Sequence, residues 1–300
     1  MRREAPVPKH FTATGPVANH HIDAVVREVM RTAPVARHAA LAIVHGTKLV
    51  YARGYTLAEP DWPIARPTTR FRLASVSKTV TALAAMQLIQ AGALHPSDTL
   101  QGILQLKTVD LLSGQLYDEA RYQAAGIDPG APSDLQVNRS LMTPDEPVIP
   151  AGYGDYELSL TQGAGGLTGA VTDVARLAAI LISQNDSPAL QRATIVNDML
   201  LPAVACAAAH PGGRAGYGLD GASDLGGGSF YGQKGGLIIN AASVVQFNGD
   251  WGFVAVFGSP AQQIGVQPPW YPDWPDVMTI AEAVDWGDTD LFPDFGMPSL

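Results

Sequence analysis

Two apolar runs joined by Asn248-Gly249-Asp250 constrain this chain more than any other stretch. Residues 242–247 (ASVVQF) and 251–257 (WGFVAVF) are rich in β-branched and aromatic side chains. An Asn-Gly pair between such runs adopts the left-handed backbone of a tight hairpin, so the two strands must pair antiparallel. A second hairpin lies near the start: residues 39–44, the turn His45-Gly46-Thr47, and residues 48–55. Tyr217-Gly218-Leu219 and Phe230-Tyr231 flank a glycine-rich turn at 226–228, and Lys234-Gly235-Gly236 leads into an apolar run at 237–239. The final third is therefore an antiparallel meander.

Helical spacing brackets these strands. Ile22, Val25, Val26 and Val29 fall on one face of a helix over 21–30, and a last helix covers about 275–286. The middle of the chain reads as mainly helical, while residues 1–19 are proline-rich and irregular. These elements predict an α+β fold, an antiparallel sheet flanked by N- and C-terminal helices. One domain is expected over 1–300, its α/β part at about 20–70 and 205–290 and its helical part at about 71–204.

The chemistry centres on Ser75-x-x-Lys78. At the start of a helix this spacing puts the two side chains on one face, one turn apart. Residues 79–91 (TVTALAAMQLIQA) carry no charge, which predicts a central, buried helix ending at Gly92. Burial of Lys78 in such a helix would disfavour its ammonium form, and a neutral amine beside a hydroxyl is a base beside a nucleophile. Gly163-Ala-Gly-Gly-Leu167 reads as a small-residue turn before a helix opening at Thr172-Asp173. It is a poor nucleotide fingerprint, since no strand precedes it.

Charge and cysteine usage exclude other classes. The net charge is −9, and no Lys or Arg occurs from Gly235 onward, which argues against a nucleic-acid partner. Cys206, the single cysteine, sits among alanines and reads as a small buried residue, so neither an intrachain disulfide nor a cysteine metal cluster is expected. His20 and His21 lack the spaced partners of a metal site and read as surface residues. No run is long enough to span a bilayer, and the basic N-terminus lacks the apolar stretch of a signal peptide. A cytoplasmic location is the default expectation, although a chain trimmed of a leader would read the same. The oligomeric state is not legible.

Taken together, several pieces resemble the serine β-lactamase and penicillin-binding-protein superfamily, in particular its class C-like branch of β-lactamases, D-aminopeptidases and esterases. They are Gly54-Tyr55, Phe71-Arg-Leu-Ala-Ser75-Val-Ser-Lys78, Thr108-Val-Asp-Leu-Leu-Ser-Gly114, Ala164-Gly-Gly-Leu167 with Asp173-Val-Ala-Arg176, Tyr217-Gly-Leu219 and Lys234-Gly-Gly236. They run in the family's order from about 20 to 285. The resemblance implies a β-lactamase/transpeptidase-like fold with Ser75 as acylated nucleophile and Lys78 as proton acceptor. It also implies that Lys234 holds a substrate carboxylate or keeps Lys78 neutral by like-charge repulsion. By the same carry-over, the N–H groups of Ser75 and Leu237 form the oxyanion hole, and Gly235 and Gly236 let a substrate lie against their strand.

The family's catalytic tyrosine has two counterparts here. Tyr153 fits the motif's spelling in Tyr153-x-Asp155, and Tyr156 fits its distance from Pro150. The short interval to Ala164 implies a reduced helical subdomain, which leaves open whether either tyrosine serves.

The resulting expectation is a serine hydrolase that passes a small ester or amide through an acyl-Ser75 intermediate, with no cofactor and no metal. β-Lactam hydrolysis is a minor expectation. An acyltransferase using a small-molecule acceptor is the first alternative, and an inactive binding protein on the same fold is the second.

Overall fold

A computed structural model describes residues 9–32, 36–60, 62–98, 102–103, 137–138, 149–150, 162–200, 204–205, 214–238, 241–258 and 275–300. The chain divides into two compact units, one formed by 1–87 with 157–300 and the other by 88–156.

In chain order the described elements are β1 (His10–Thr14), α1 (His20–Thr32), β2 (His38–His45), β3 (Lys48–Ala58), β4 (Phe71–Arg72) and α2 (Ser77–Gln90). Then come β5 (Val137–Asn138), β6 (Ile149–Pro150), β7 (Thr168–Gly169) and α3 (Val171–Ser183). The last third holds β8 (Val204–Ala205), β9 (Arg214–Ala215), β10 (Gly221–Gly226), β11 (Ser229–Ile238), β12 (Ala241–Asn248), β13 (Trp251–Gly258) and α4 (Pro275–Glu282).

Nine of these strands form one antiparallel sheet in the order β1-β3-β2-β13-β12-β11-β10-β9-β8. Both predicted hairpins are present, with Asn248 opposite Trp251 and His45 opposite Lys48. The N-terminal hairpin joins the C-terminal meander where β2 pairs with β13 along its whole length, from His38–Gly258 to His45–Trp251.

The central strands are buried on both faces, which is why β2 reads as an unbroken apolar run rather than an alternation. Ala39, Leu41 and Ile43 join Phe253, Ala255 and Phe257 in a core closed by Ile22, Val26 and Met30 of α1 and by Val277 and Ala281 of α4. α3 packs against β2, β3, β12 and β13. Gly252 has no room for a side chain there, since a Cβ would lie 2.8 Å from Ile182 Cδ1. Each large apolar side chain removed from water contributes about 1.5–3 kcal/mol, so this three-layer core carries most of the stability.

Several local expectations need correction. Residues 10–14, read as irregular, form edge strand β1 along β3, with His10 opposite Ala58 and Thr14 opposite Gly54. Tyr217 and Leu219 sit in a turn ahead of β10 rather than in a strand. α3 opens one residue earlier than Thr172: Ala170 is the cap, and Asp173 reaches back to accept its N–H at 3.1 Å. The helix α2, uncharged beyond Lys78, is not central. Only Ser77, Thr79 and Met86 are buried along it, because its first turns border a cavity.

The unit at 88–156 is described only in pieces. α2 ends as predicted at Gly92, whose φ of 71° is left-handed, and Ala93 N–H returns to Leu88 O at 2.8 Å. β5 pairs with β6, Val137 opposite Pro150.

Candidate active site

Ser75 lies in a single 3-10 turn, Ala74–Val76, that feeds directly into α2. The approach is held from several sides. β4 pairs with β7, and Leu73 N–H donates to Leu167 O at 2.9 Å. The Leu73 carbonyl accepts the Ser243 hydroxyl of β12 and the Val76 N–H at 3.0 Å. Ala74 between them is fully buried with φ of 45°, a left-handed conformation that costs a non-glycine residue about 1–3 kcal/mol and persists only where packing enforces it.

β11 supplies the opposite wall. Lys234 stands opposite Val245 and Gly236 opposite Ser243, so both face the 74–76 turn, while Gly235 is opposite Val244 and faces the core under α1 and α4. A Cβ at Gly236 would lie 2.6 Å from Ser75 N and 2.9 Å from Leu73 O, so glycine is what lets the strand and the Ser75 turn meet. Leu237 follows directly on this contact, opposite Ala242.

Lys78 Nζ donates to Ser75 Oγ at 3.0 Å and to the Ala164 carbonyl at 2.8 Å. Ala164 belongs to a single π turn, Gln162–Gly166, which Thr81 also holds by donating to Gly163 O at 2.6 Å. Lys78 is exposed, not buried as its apolar helix predicts. Its neighbours Ser77 and Thr79 face the protein, whereas position 78 faces an open pocket of about 500 Å³. α2, the π turn, the 218–220 turn and Lys234 line that pocket. The 218–220 turn is pinned to α2 by Thr79 Oγ1 donating to Gly218 O at 2.7 Å. Gly218 has φ of 77°, and a Cβ there would meet Ala82 Cβ at 2.6 Å.

Lys234 is 6% exposed, and its ammonium donates to Asp220 Oδ1. Asp220 is in turn fixed from both sides: its N–H donates to Gln233 O at 2.8 Å, and Oδ2 accepts Gly235 N–H at 3.4 Å. Sequence reasoning missed Asp220. The signal lies in hairpin register: Gly221 pairs with Gln233, so the preceding residue falls opposite Lys234. It also missed Ala164 as the second acceptor for Lys78, since a backbone carbonyl has no residue-type signature.

Among the described residues no group of three or more His, Cys, Asp or Glu could hold a metal, and no helix is long and apolar enough to cross a membrane. Tyr153, Tyr156 and Cys206 lie outside the described residues.

The fold that brings these elements together has counterparts among known proteins. A family model described as Beta-lactamase matches residues 22–127. A solved octameric penicillin-binding protein homologue from Pyrococcus abyssi is 15% identical, with 91% of this chain and 79% of that chain covered at a TM-score of 0.53. D-amino acid amidase from Ochrobactrum anthropi SV3, complexed with D-phenylalanine, is 11% identical, with 88% and 98% covered at 0.57. The β-lactamase/D-alanine carboxypeptidase from Pseudomonas syringae is 11% identical, with 81% and 94% covered at 0.52. The matched segment contains Ser75 and Lys78, and the shared fold extends over most of the chain. Residues 22–127 thus match the Beta-lactamase family model, and the chain as a whole has the β-lactamase/transpeptidase fold.

Proposed function

We propose that this protein is a serine hydrolase that cleaves a small ester or amide through an acyl-Ser75 intermediate. The observation that carries the reading is the Lys78 amine 3.0 Å from Ser75 Oγ, held in place by the Ala164 carbonyl and open to a pocket. Lys78 in its neutral form accepts the hydroxyl proton as Oγ bonds to the acyl carbon. The bond to the leaving group then breaks, and the leaving group takes that proton. Water repeats the sequence on the acyl-enzyme, giving the acid and restoring Ser75. The N–H groups of Ser75 and Leu237 are assigned to the developing oxyanion, where fixed donors act most strongly. Gly236 supports this assignment, since it keeps strand and turn in contact. The amidase and carboxypeptidase named among the similar structures are consistent with acyl-transfer chemistry on this fold.

Intact-mass spectrometry after incubation with p-nitrophenyl acetate and butyrate, alongside absorbance turnover, tests the proposal. Wild type should gain an acyl mass and release p-nitrophenol steadily, and Ser75→Ala should do neither while staying folded. An adduct that accumulates without release would instead identify an acyltransferase waiting for its acceptor. Equal labelling of the Ser75→Ala variant would remove Ser75 from the mechanism.

A further inference from the structure

We infer that Asp220 sets the charge preference of this pocket, reserving it for acyl donors without a carboxylate by occupying the Lys234 ammonium. The inference rests on the acyl-Ser75 reading of the same site. A nearly buried ammonium facing a cavity is a strong receptor for an anionic ligand, because the fold has already stripped it of water. Here that receptor is filled from within, since Lys234 donates to Asp220 Oδ1.

The two partners are not equally accessible. The Lys234 side chain is 8% exposed and that of Asp220 is 34% exposed, so an entering ligand meets the carboxylate first. A second carboxylate would approach like charge and find no free cation behind it. Nor is Asp220 a loose group that a ligand could push aside. Its N–H is bonded to Gln233 O, its Oδ2 accepts Gly235 N–H, and the β10–β11 register sets it opposite Lys234. Among the described residues Lys78 is the other lysine lining the pocket, and Ser75 Oγ and the Ala164 carbonyl already engage it. Recruiting Lys78 for a ligand carboxylate would dismantle the nucleophile pair. The pocket is thus built to exclude acids, a preference created by one residue that the lysine motif alone does not reveal.

Phenylboronic acid and 3-carboxyphenylboronic acid test this, since both form tetrahedral adducts with a reactive serine and they differ by one carboxylate. Calorimetric titration of wild type should show the uncharged boronate binding at least tenfold more tightly. Asp220→Asn should abolish or reverse that ratio, whereas Asp220→Glu should keep it. Because Asp220→Asn strands a buried ammonium and can lose its fold, the Asp220→Asn/Lys234→Met double variant provides a second reading. With neither charge present, its ratio should fall to within about threefold of unity, the residual scale for one weak polar difference. Equal binding of the two boronates by wild type, or a tenfold preference that survives in both variants, overturns the inference. Turnover of p-nitrophenyl butyrate is followed separately. Boronate selectivity without turnover would refute the hydrolase reading and leave the charge preference standing. A folded wild type that binds neither boronate would refute both.

Discussion

His38, at the start of β2, accepts the Trp62 indole N–H on Nδ1 at 2.8 Å, and the Arg37 guanidinium lies 4.3 Å from the Trp62 ring. An imidazole nitrogen that accepts a hydrogen bond must be unprotonated, so this arrangement requires the neutral ring. Burial, and secondarily the Arg37 charge, lower the His38 pKa below its ordinary value of 6.5. The unfolded chain therefore binds a proton more readily, and the His38 contribution to stability is full above about pH 6.5 and is lost as pH falls toward the depressed native value. Thermal melts from pH 7.5 to 5 should show wild type losing stability faster than His38→Asn. The difference should stay under the one-proton limit of about 1.4 kcal/mol per pH unit, because the ring is only partly buried and solvent screens it. At this scale Ser75 and Lys78 were legible because their relation is local, three residues on one helical turn. The left-handed Ala74 was not, since alanine is no sign of a positive φ and only the surrounding contacts enforce it. Asp220 was hidden for a similar reason, its role arising from register.

At the scale of elements, β11 shows how one strand serves two surfaces. Gly232 and Gly236 share a face, yet different neighbours oppose them. A Cβ at 232 would overlap the Phe247 ring, while one at 236 would meet the backbone of Leu73 and Ser75. Gly232→Ala should destabilise the protein by about 1–3 kcal/mol, the usual cost of overpacking, with little loss of acylation rate per folded molecule. Gly236→Ala should cost stability on the same scale and, unlike Gly232→Ala, cut acylation per folded molecule by at least about tenfold, because displacing the turn that carries Ser75 by an ångström is that costly or more. Denaturant titration paired with ester-labelling kinetics separates the two. The hairpins were legible because turn chemistry and period-2 runs are short-range signals. α2 misled for the opposite reason: an uncharged run looks the same whether it fills a core or borders a cavity, and only the tertiary neighbours decide.

For the whole molecule, the C-terminal residues close the structure back onto its beginning. Leu291 N–H donates to Leu49 O at 2.8 Å, Asp290 accepts from Leu49 and Phe292 N–H groups, and Phe292 is fully buried with the Arg176 guanidinium 4.8 Å from its ring. Phe292→Ala should cost about 3–5 kcal/mol, measured as a lowered urea midpoint with unchanged slope. The fold class followed from element order. The strand order did not, since nothing local tells β2 to pair with β13.

That strand order has a temporal consequence. Ser75 and Lys78 are translated well before the bare Cα at Gly236 and the hydroxyl of Ser243 that seat their turn. Contacts between such distant segments form late, after the entropy of a long closed loop has been overcome. A chain still on the ribosome therefore carries Ser75 long before the strand that seats its turn, so under the proposed mechanism the topology acts as a timer that delays reactivity until the sheet is complete.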